Sequence, residues 1–174
     1  MRSGKRYSNV TFSKRVDHDK GEHRTRRAPV EPARCAVCGA VYSERRWRAA
    51  GATKTAADKH KHWHPPALVV CPGCKKKQEG PPAGFVYVSG DFLTSHQEEI
   101  KRLLETEAGR AVVDNPLAQI MGGETDENGR FVVTTTTEHL AKRLGQALEK
   151  AYGGEIRYDF SHENKLARVY WRRD

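Results

Sequence analysis

The strongest periodicity in the chain lies near its C-terminus. Leu140, Leu144, Ala147, Leu148 and Ala151 share one face at helical spacing, with Thr135-x-x-Glu138 as a start signal and Gly153-Gly154 as a stop, so the pattern predicts a helix between them. Beyond it, Ile156, Tyr158 and Phe160 alternate with Glu155, Arg157 and Asp159, the pattern of a half-buried strand. Residues 161–165 are turn-like, and residues 166–171 return as a hairpin partner. Upstream, residues 85–88 form a short strand and Ser89-Gly90-Asp91 a helix entry. Phe92, His96, Ile100, Leu103 and Leu104 then recur at helical spacing, with Ser95 and Glu98 placed to form a capping box. Asn115-Pro116 is expected to open a second short helical stretch around Leu117 and Ile120. Residues 122–129 read as a polar, acidic loop, and residues 131–136, being β-branched, as a strand. The predicted order is strand, helix, helix, strand, helix, strand, strand, a compact α+β domain over residues 83–174.

The first 80 residues carry no comparable pattern. Residues 1–30 show almost no apolar periodicity and read as a basic, flexible arm. Residues 31–80 are bracketed by Cys35-Ala36-Val37-Cys38 and Cys71-Pro72-Gly73-Cys74, with a polar insertion between the pairs and Pro65-Pro66 and Pro81-Pro82 as punctuation. The predicted class is therefore α+β: an N-terminal basic arm, a four-cysteine zinc ribbon with a long insertion, and a C-terminal mixed α+β domain.

Charge sharpens this division. Lys and Arg total 31 against 22 Asp and Glu, a formal net charge of +9. Residues 1–27 hold nine cations and three anions, residues 28–80 ten and four, and residues 81–174 twelve and fifteen. The excess thus sits on the least core-like part, the mark of a polyanion-binding region joined to a differently employed domain. No apolar run reaches the roughly 18 residues of a membrane span. Residues 1–12 lack the apolar stretch of a secretory signal, so a cytoplasmic location is expected.

In a reducing compartment four cysteines point to metal ligation more than to disulfides. Two CxxC pairs direct two thiolates each to adjacent corners of a tetrahedron, the arrangement of one structural Zn2+. Gly39 supplies a permissive backbone after the first pair, and Pro72 and Gly73 favour a sharp turn at the second. The 32 residues between the pairs exceed the roughly 15–20 of a compact site, but loop closure grows costly only slowly with length. A mixed site of Cys35, Cys38, His60 and His64 is a competing assignment, one that strands Cys71 and Cys74. With Cys35, Cys38, Cys71 and Cys74 all engaged, no coordination position is left open, so the ion is structural and not catalytic.

Two clusters decorate the insertion. Arg45, Arg46, Trp47 and Arg48 form one, and Lys59 to His64, with His60, Lys61 and Trp63, the other. Both combine cations for phosphates with an indole for base stacking; the alternative is a solvated loop whose tryptophan packs on the zinc module. Lys75, Lys76 and Lys77 follow the last ligand directly, so the zinc fold fixes their position. Asp17-His18-Asp19 reads as solvated. The threonine run at 134–137 reads as strand plus helix cap, and His96 and His139 as packing or surface residues. The chain has no GxxxxGK[ST], HExxH or GxSxG motif, and no enzymatic activity is expected.

Several of these stretches, Cys35-Ala36-Val37-Cys38-Gly39-Ala40-Val41-Tyr42, Arg46-Trp47, Cys71-Pro72-Gly73-Cys74, Pro82-Ala83-Gly84, Phe131-Val132-Val133-Thr134-Thr135-Thr136 and His139-Leu140-Ala141-Lys142-Arg143 through Ala151-Tyr152, resemble an uncharacterised bacterial zinc-ribbon family. More distantly, the paired cysteines are similar to the zinc-bearing part of the archaeal and eukaryotic export adaptor of the large ribosomal subunit. The resemblance implies association with the ribosome and its RNA, with the four cysteines as zinc ligands and no catalytic residue. The expectation is a cytoplasmic zinc-ribbon protein that binds ribosomal RNA, with ribosomal proteins as further contacts, acting in subunit assembly or in the silencing (hibernation) of idle ribosomes. The alternative is a zinc-dependent protein–protein adaptor with no direct RNA role.

Overall fold

A computed structural model describes residues 28–51, 65–161 and 165–174. Residues 1–27 of the expected arm, and the cluster containing His60, Lys61, His62, Trp63 and His64, lie outside the described residues.

Four three-residue strands, β1 (Ala33–Cys35), β2 (Val41–Ser43), β3 (Arg46–Arg48) and β4 (Ala67–Val69), make a small mixed sheet in the order β3-β2-β1-β4. β1 and β4 are parallel and the other pairs antiparallel. Helix α1 (Pro72–Glu79) follows. Next come β5 (Gly84–Ser89), α2 (Asp91–Asp114), β6 (Ile120–Thr125), β7 (Phe131–Thr135), α3 (Glu138–Tyr152), β8 (Glu155–Ser161) and β9 (Leu166–Arg172). These strands form a second mixed sheet, β6-β7-β5-β9-β8, in which β5 and β9 run parallel at the centre.

The alternation along β5 and β9 explains where the main core sits. Val86, Val88, Ala167, Val169 and Trp171 point to one face and are fully buried. Ile100 and Leu104 from α2 and Leu140, Leu144 and Leu148 from α3 pack against them. Trp171 also donates its indole N–H to the Gly153 carbonyl at 2.7 Å, so the largest core side chain leaves no polar atom unpaired. Phe85, Tyr87 and Tyr170 alternate to the opposite face and belong to neither core cluster.

Three elements differ from the sequence expectation. The stretch around Leu117 and Ile120 is not a second helix. The Asn115 carboxamide oxygen accepts from the Leu117 N–H at 3.1 Å, a side-chain turn that ends α2. From Ile120 the chain runs as edge strand β6, taking in half of the expected acidic loop. Helix α2 begins at Asp91, at the expected Ser89-Gly90-Asp91 entry, so the Ser95–Glu98 pair falls inside it and does not cap its start; the helix bends at His96, which has non-helical backbone angles. Helix α1, which directly follows Cys71, replaces the second knuckle of a ribbon.

The start of α3 depends on Thr137, not on Thr135: the Thr137 hydroxyl accepts from the Leu140 N–H at 3.3 Å. Replacing Thr137 with Ala leaves that N–H unpaired and is expected to lower stability by about 1 kcal/mol. Denaturant unfolding should show this as a lower midpoint at unchanged slope; an unchanged midpoint would mean the cap contributes nothing.

Candidate metal centre

Cys35 closes β1, and the chain then turns through Cys38 and Gly39 into β2. Gly39 has φ +74°, a left-handed conformation that costs a glycine little. Backbone bonds from Cys35 N–H to the Ala40 carbonyl (2.7 Å) and from Gly39 N–H to the Cys35 carbonyl (3.0 Å) lock the knuckle. The second pair is held differently. Cys71 is the N-cap of α1 and accepts from the Cys74 N–H at 3.4 Å, with Pro72 in the first helical turn. A helix N-terminus presents free N–H groups and a partial positive charge, which favours thiolates.

The four sulfurs all lie within 4.8 Å of one another. A regular tetrahedron with metal–sulfur bonds near 2.3 Å has edges of about 3.8 Å, and the Cys38–Cys71 Sγ separation is 3.7 Å. The Cys71 N–H donates to Cys35 Sγ at 3.3 Å, and the Gln119 carboxamide donates to Cys74 Sγ at 3.5 Å. Sulfur-only donors at this spacing, buried except for Cys38 and already receiving N–H bonds, fit one thiophilic metal ion. The convergence of all four also removes the need for a histidine-containing set.

Protonation follows the same geometry. Burial opposes ionisation of Cys35, but N–H donors at Cys38, Cys71 and Val37 together outweigh it and bring the thiol down to about 6. Burial pushes Cys38 and Cys71 up, and for Cys71 the neighbouring sulfurs add to the effect. One thiolate is thus comfortable here and four are not, unless a cation is shared among them.

The walls of the centre come from three places. Trp47 packs on the cysteine cluster and lies 5.2 Å from Tyr42, ring centre to ring centre; it is half-buried. Leu117 packs from the other side. Gln119 reaches Cys74 because Thr136 pins its segment: the Thr136 hydroxyl donates to the Leu117 carbonyl at 2.7 Å and accepts from the Gln119 N–H at 2.8 Å. Neither Gln119 nor Thr136 has a sequence signature that places it at a metal site.

The cationic candidates separate. Glu44 and Arg45 form the tip of the β2–β3 hairpin with φ of +50° and +60°, unusual for residues with side chains. The Glu31 carboxylate holds this tip, accepting from the Glu44 N–H at 3.0 Å and the Arg45 N–H at 2.7 Å. Arg45 and Arg46 are exposed and have no carboxylate partner among the described residues, whereas Arg48 is ion-paired to Glu44. Lys75, Lys76 and Lys77 lie on α1. Only Lys77 is well exposed, and burial lowers the ammonium of Lys76, partly offset by nearby Glu138.

No family model, curated protein or solved structure matches the chain. Among the described residues no helix is long and apolar enough to cross a membrane.

Proposed function

We propose that Cys35, Cys38, Cys71 and Cys74 hold one structural Zn2+, and that the module so built binds RNA, with ribosomal RNA as its target. When bound, zinc supplies fixed tetrahedral geometry and charge compensation, and no chemistry beyond that. The residues of the chain do the rest. The cysteine-centred core anchors the β2–β3 hairpin, Glu31 fixes its tip, and Arg45 and Arg46 project from it as preorganised phosphate ligands. The observation that carries this reading is that exposed arginine pair, at a hairpin tip clamped by Glu31 and next to the four-cysteine cluster. Lys77 extends the cationic surface. His60, Lys61 and Trp63 belong to the same reading through the sequence alone. Occupying a ribosomal surface in this way suits a role in subunit assembly or in silencing idle ribosomes.

The test is cosedimentation with ribosomes at rising salt, comparing the native chain with an Arg45→Glu, Arg46→Glu variant. Two lost phosphate contacts should flatten the dependence of log affinity on log salt by about 1.4 to 1.8 at unchanged metal content. Salt-insensitive binding, or equal binding by the variant, would reject the RNA reading and favour the protein adaptor.

A further inference from the structure

We infer that the face of the five-stranded sheet turned away from α2 and α3 is a second RNA surface, one that takes single-stranded RNA by stacking. Strand register sets Tyr87 opposite Tyr170 and Tyr170 opposite Arg157. The two tyrosine rings stack at 4.8 Å with planes 9° apart. The Arg130 guanidinium carbon lies 4.9 Å from the centre of the Tyr87 ring, and that of Arg157 lies 4.5 Å from the Tyr170 ring. Phe85 joins through its stacked neighbour Tyr87 at 6.1 Å. The result is a column, guanidinium–ring–ring–guanidinium, running from Arg130 at the end of the β6–β7 turn across β5 and β9 to β8.

A cover for a half-buried sheet face needs only apolar side chains. This one ends in planar cations, and it borders an open groove of about 310 Å³ whose walls include Arg130, Arg157 and Arg172 against a single carboxylate, Glu155. Its capacity for an anionic occupant rests on whichever of these arginines is not already paired. Arg130 and Arg172 already hold Asp126 and Asp174, at 2.7 and 2.9 Å. Arg157 has no carboxylate partner among the described residues and is the cation available to a phosphate or, through its outer face, to a base. Within the column each tyrosine face is already covered by its neighbour, so an unpaired base stacks on the guanidinium plane at its end, and duplexes do not offer such a face. A single strand is therefore the form of RNA that fits. The choice of RNA rests on the function proposed above; the surface itself shares no residue with the β2–β3 hairpin.

The experiment is fluorescence anisotropy of a short fluorescein-labelled oligouridine titrated with the full chain at low salt. The native chain should bind, and Tyr170→Ala and Arg157→Gln should each weaken binding by about tenfold. Tyr170→Phe, which keeps the ring, should retain affinity. Introduced into the Arg45→Glu, Arg46→Glu background, which should lose ribosomes, Arg157→Gln should still lower the remaining oligouridine affinity by about the same factor, which separates the two surfaces. Arg157 stands on edge strand β8, so its variant keeps the test valid should Tyr170→Ala fail to fold. Native-like binding by Arg157→Gln, or no oligouridine binding by a chain that still cosediments with ribosomes, would overturn the inference. So would absent binding together with a dimer that Tyr170→Ala dissociates, which would assign the face to a second copy of the chain.

Discussion

Replacing Cys71 with Ser is expected to abolish metal binding and unfold the small sheet, while α2, α3 and the five-stranded sheet stay folded. The asymmetry follows from what each part has for a core. The cluster at the centre of the small sheet consists of Cys35, Ala40, Cys71 and Cys74, with Trp47 and Leu117 against it, and its strands are three residues long. So little apolar area does not offset the conformational entropy of ordering the chain. In such a module metal affinity is folding free energy, of order 10–16 kcal/mol for zinc at neutral pH. Cys71 is completely buried; its sulfur touches Cys38 and caps α1. A serine there offers a poor zinc ligand and shortens the reach to the metal. The larger sheet has its own core, centred on Trp171, Ile100 and the three leucines of α3. Metal analysis should find less than one ion per chain, Trp47 fluorescence should report a solvated indole, and far-ultraviolet dichroism should keep most of its helical signal. Removing the metal from the native chain with a chelator should reproduce all three. A Cys71→Ser protein that retains one metal ion and a Trp47 still packed on the cysteine cluster would exclude Cys71 as a ligand.

How much of this the sequence revealed depended on whether a residue's neighbours lie nearby in the chain. Helix α3 was legible because Leu140, Leu144 and Leu148 face one core continuously, and β9 because its inward and outward positions alternate along the strand; β8 alternates only as far as Asp159, and Phe160, expected to face inward, is exposed. Strand β6 was not. It is an edge strand with a register shift between Ile120 and Gly122, its last four residues are exposed, and Gly122-Gly123 contributes no side chain to a pattern. The cysteine ligands were readable from spacing alone. Their support was not: Gln119 lies 45 residues from Cys74, and its position is set by Thr136, which looked like a strand end. Trp47 fits the alternative of a tryptophan packed on the cysteine module. Its flanking arginines carry the nucleic-acid reading, whereas the pairing of Tyr42 with Trp47 across the hairpin, which seats it against the cysteines, has no local signature in the chain. The aromatic column escaped notice because Tyr87, Tyr170, Arg130 and Arg157 come from four separate segments.

The link between the two halves can be tested without touching a ligand. Gly73 lies between Cys71 and Cys74 on α1, and a Cβ placed on it would stand 2.7 Å from Leu117 Cα and 2.9 Å from the Leu117 carbonyl oxygen. Both atoms are backbone, so no rotamer change relieves the clash. The segment cannot retreat easily, because Thr136 holds the Leu117 carbonyl and Asn115 its N–H. Within the helix itself alanine is favoured over glycine, so Gly73→Ala leaves α1 and the cysteine geometry intact and acts at the contact alone. Overpacking against rigid backbone costs on the order of 1–3 kcal/mol. The metal feels it through Gln119, whose N–H bond to Cys74 Sγ depends on the close approach of the two segments; losing such an outer contact weakens metal affinity by roughly 10–100-fold. The variant should therefore bind one metal ion per chain as the native protein does, but lose it to a chelator faster and unfold in two separated steps. Gly73→Ala with native metal affinity and a single native transition would show that the metal module and the larger sheet are folded independently of this contact.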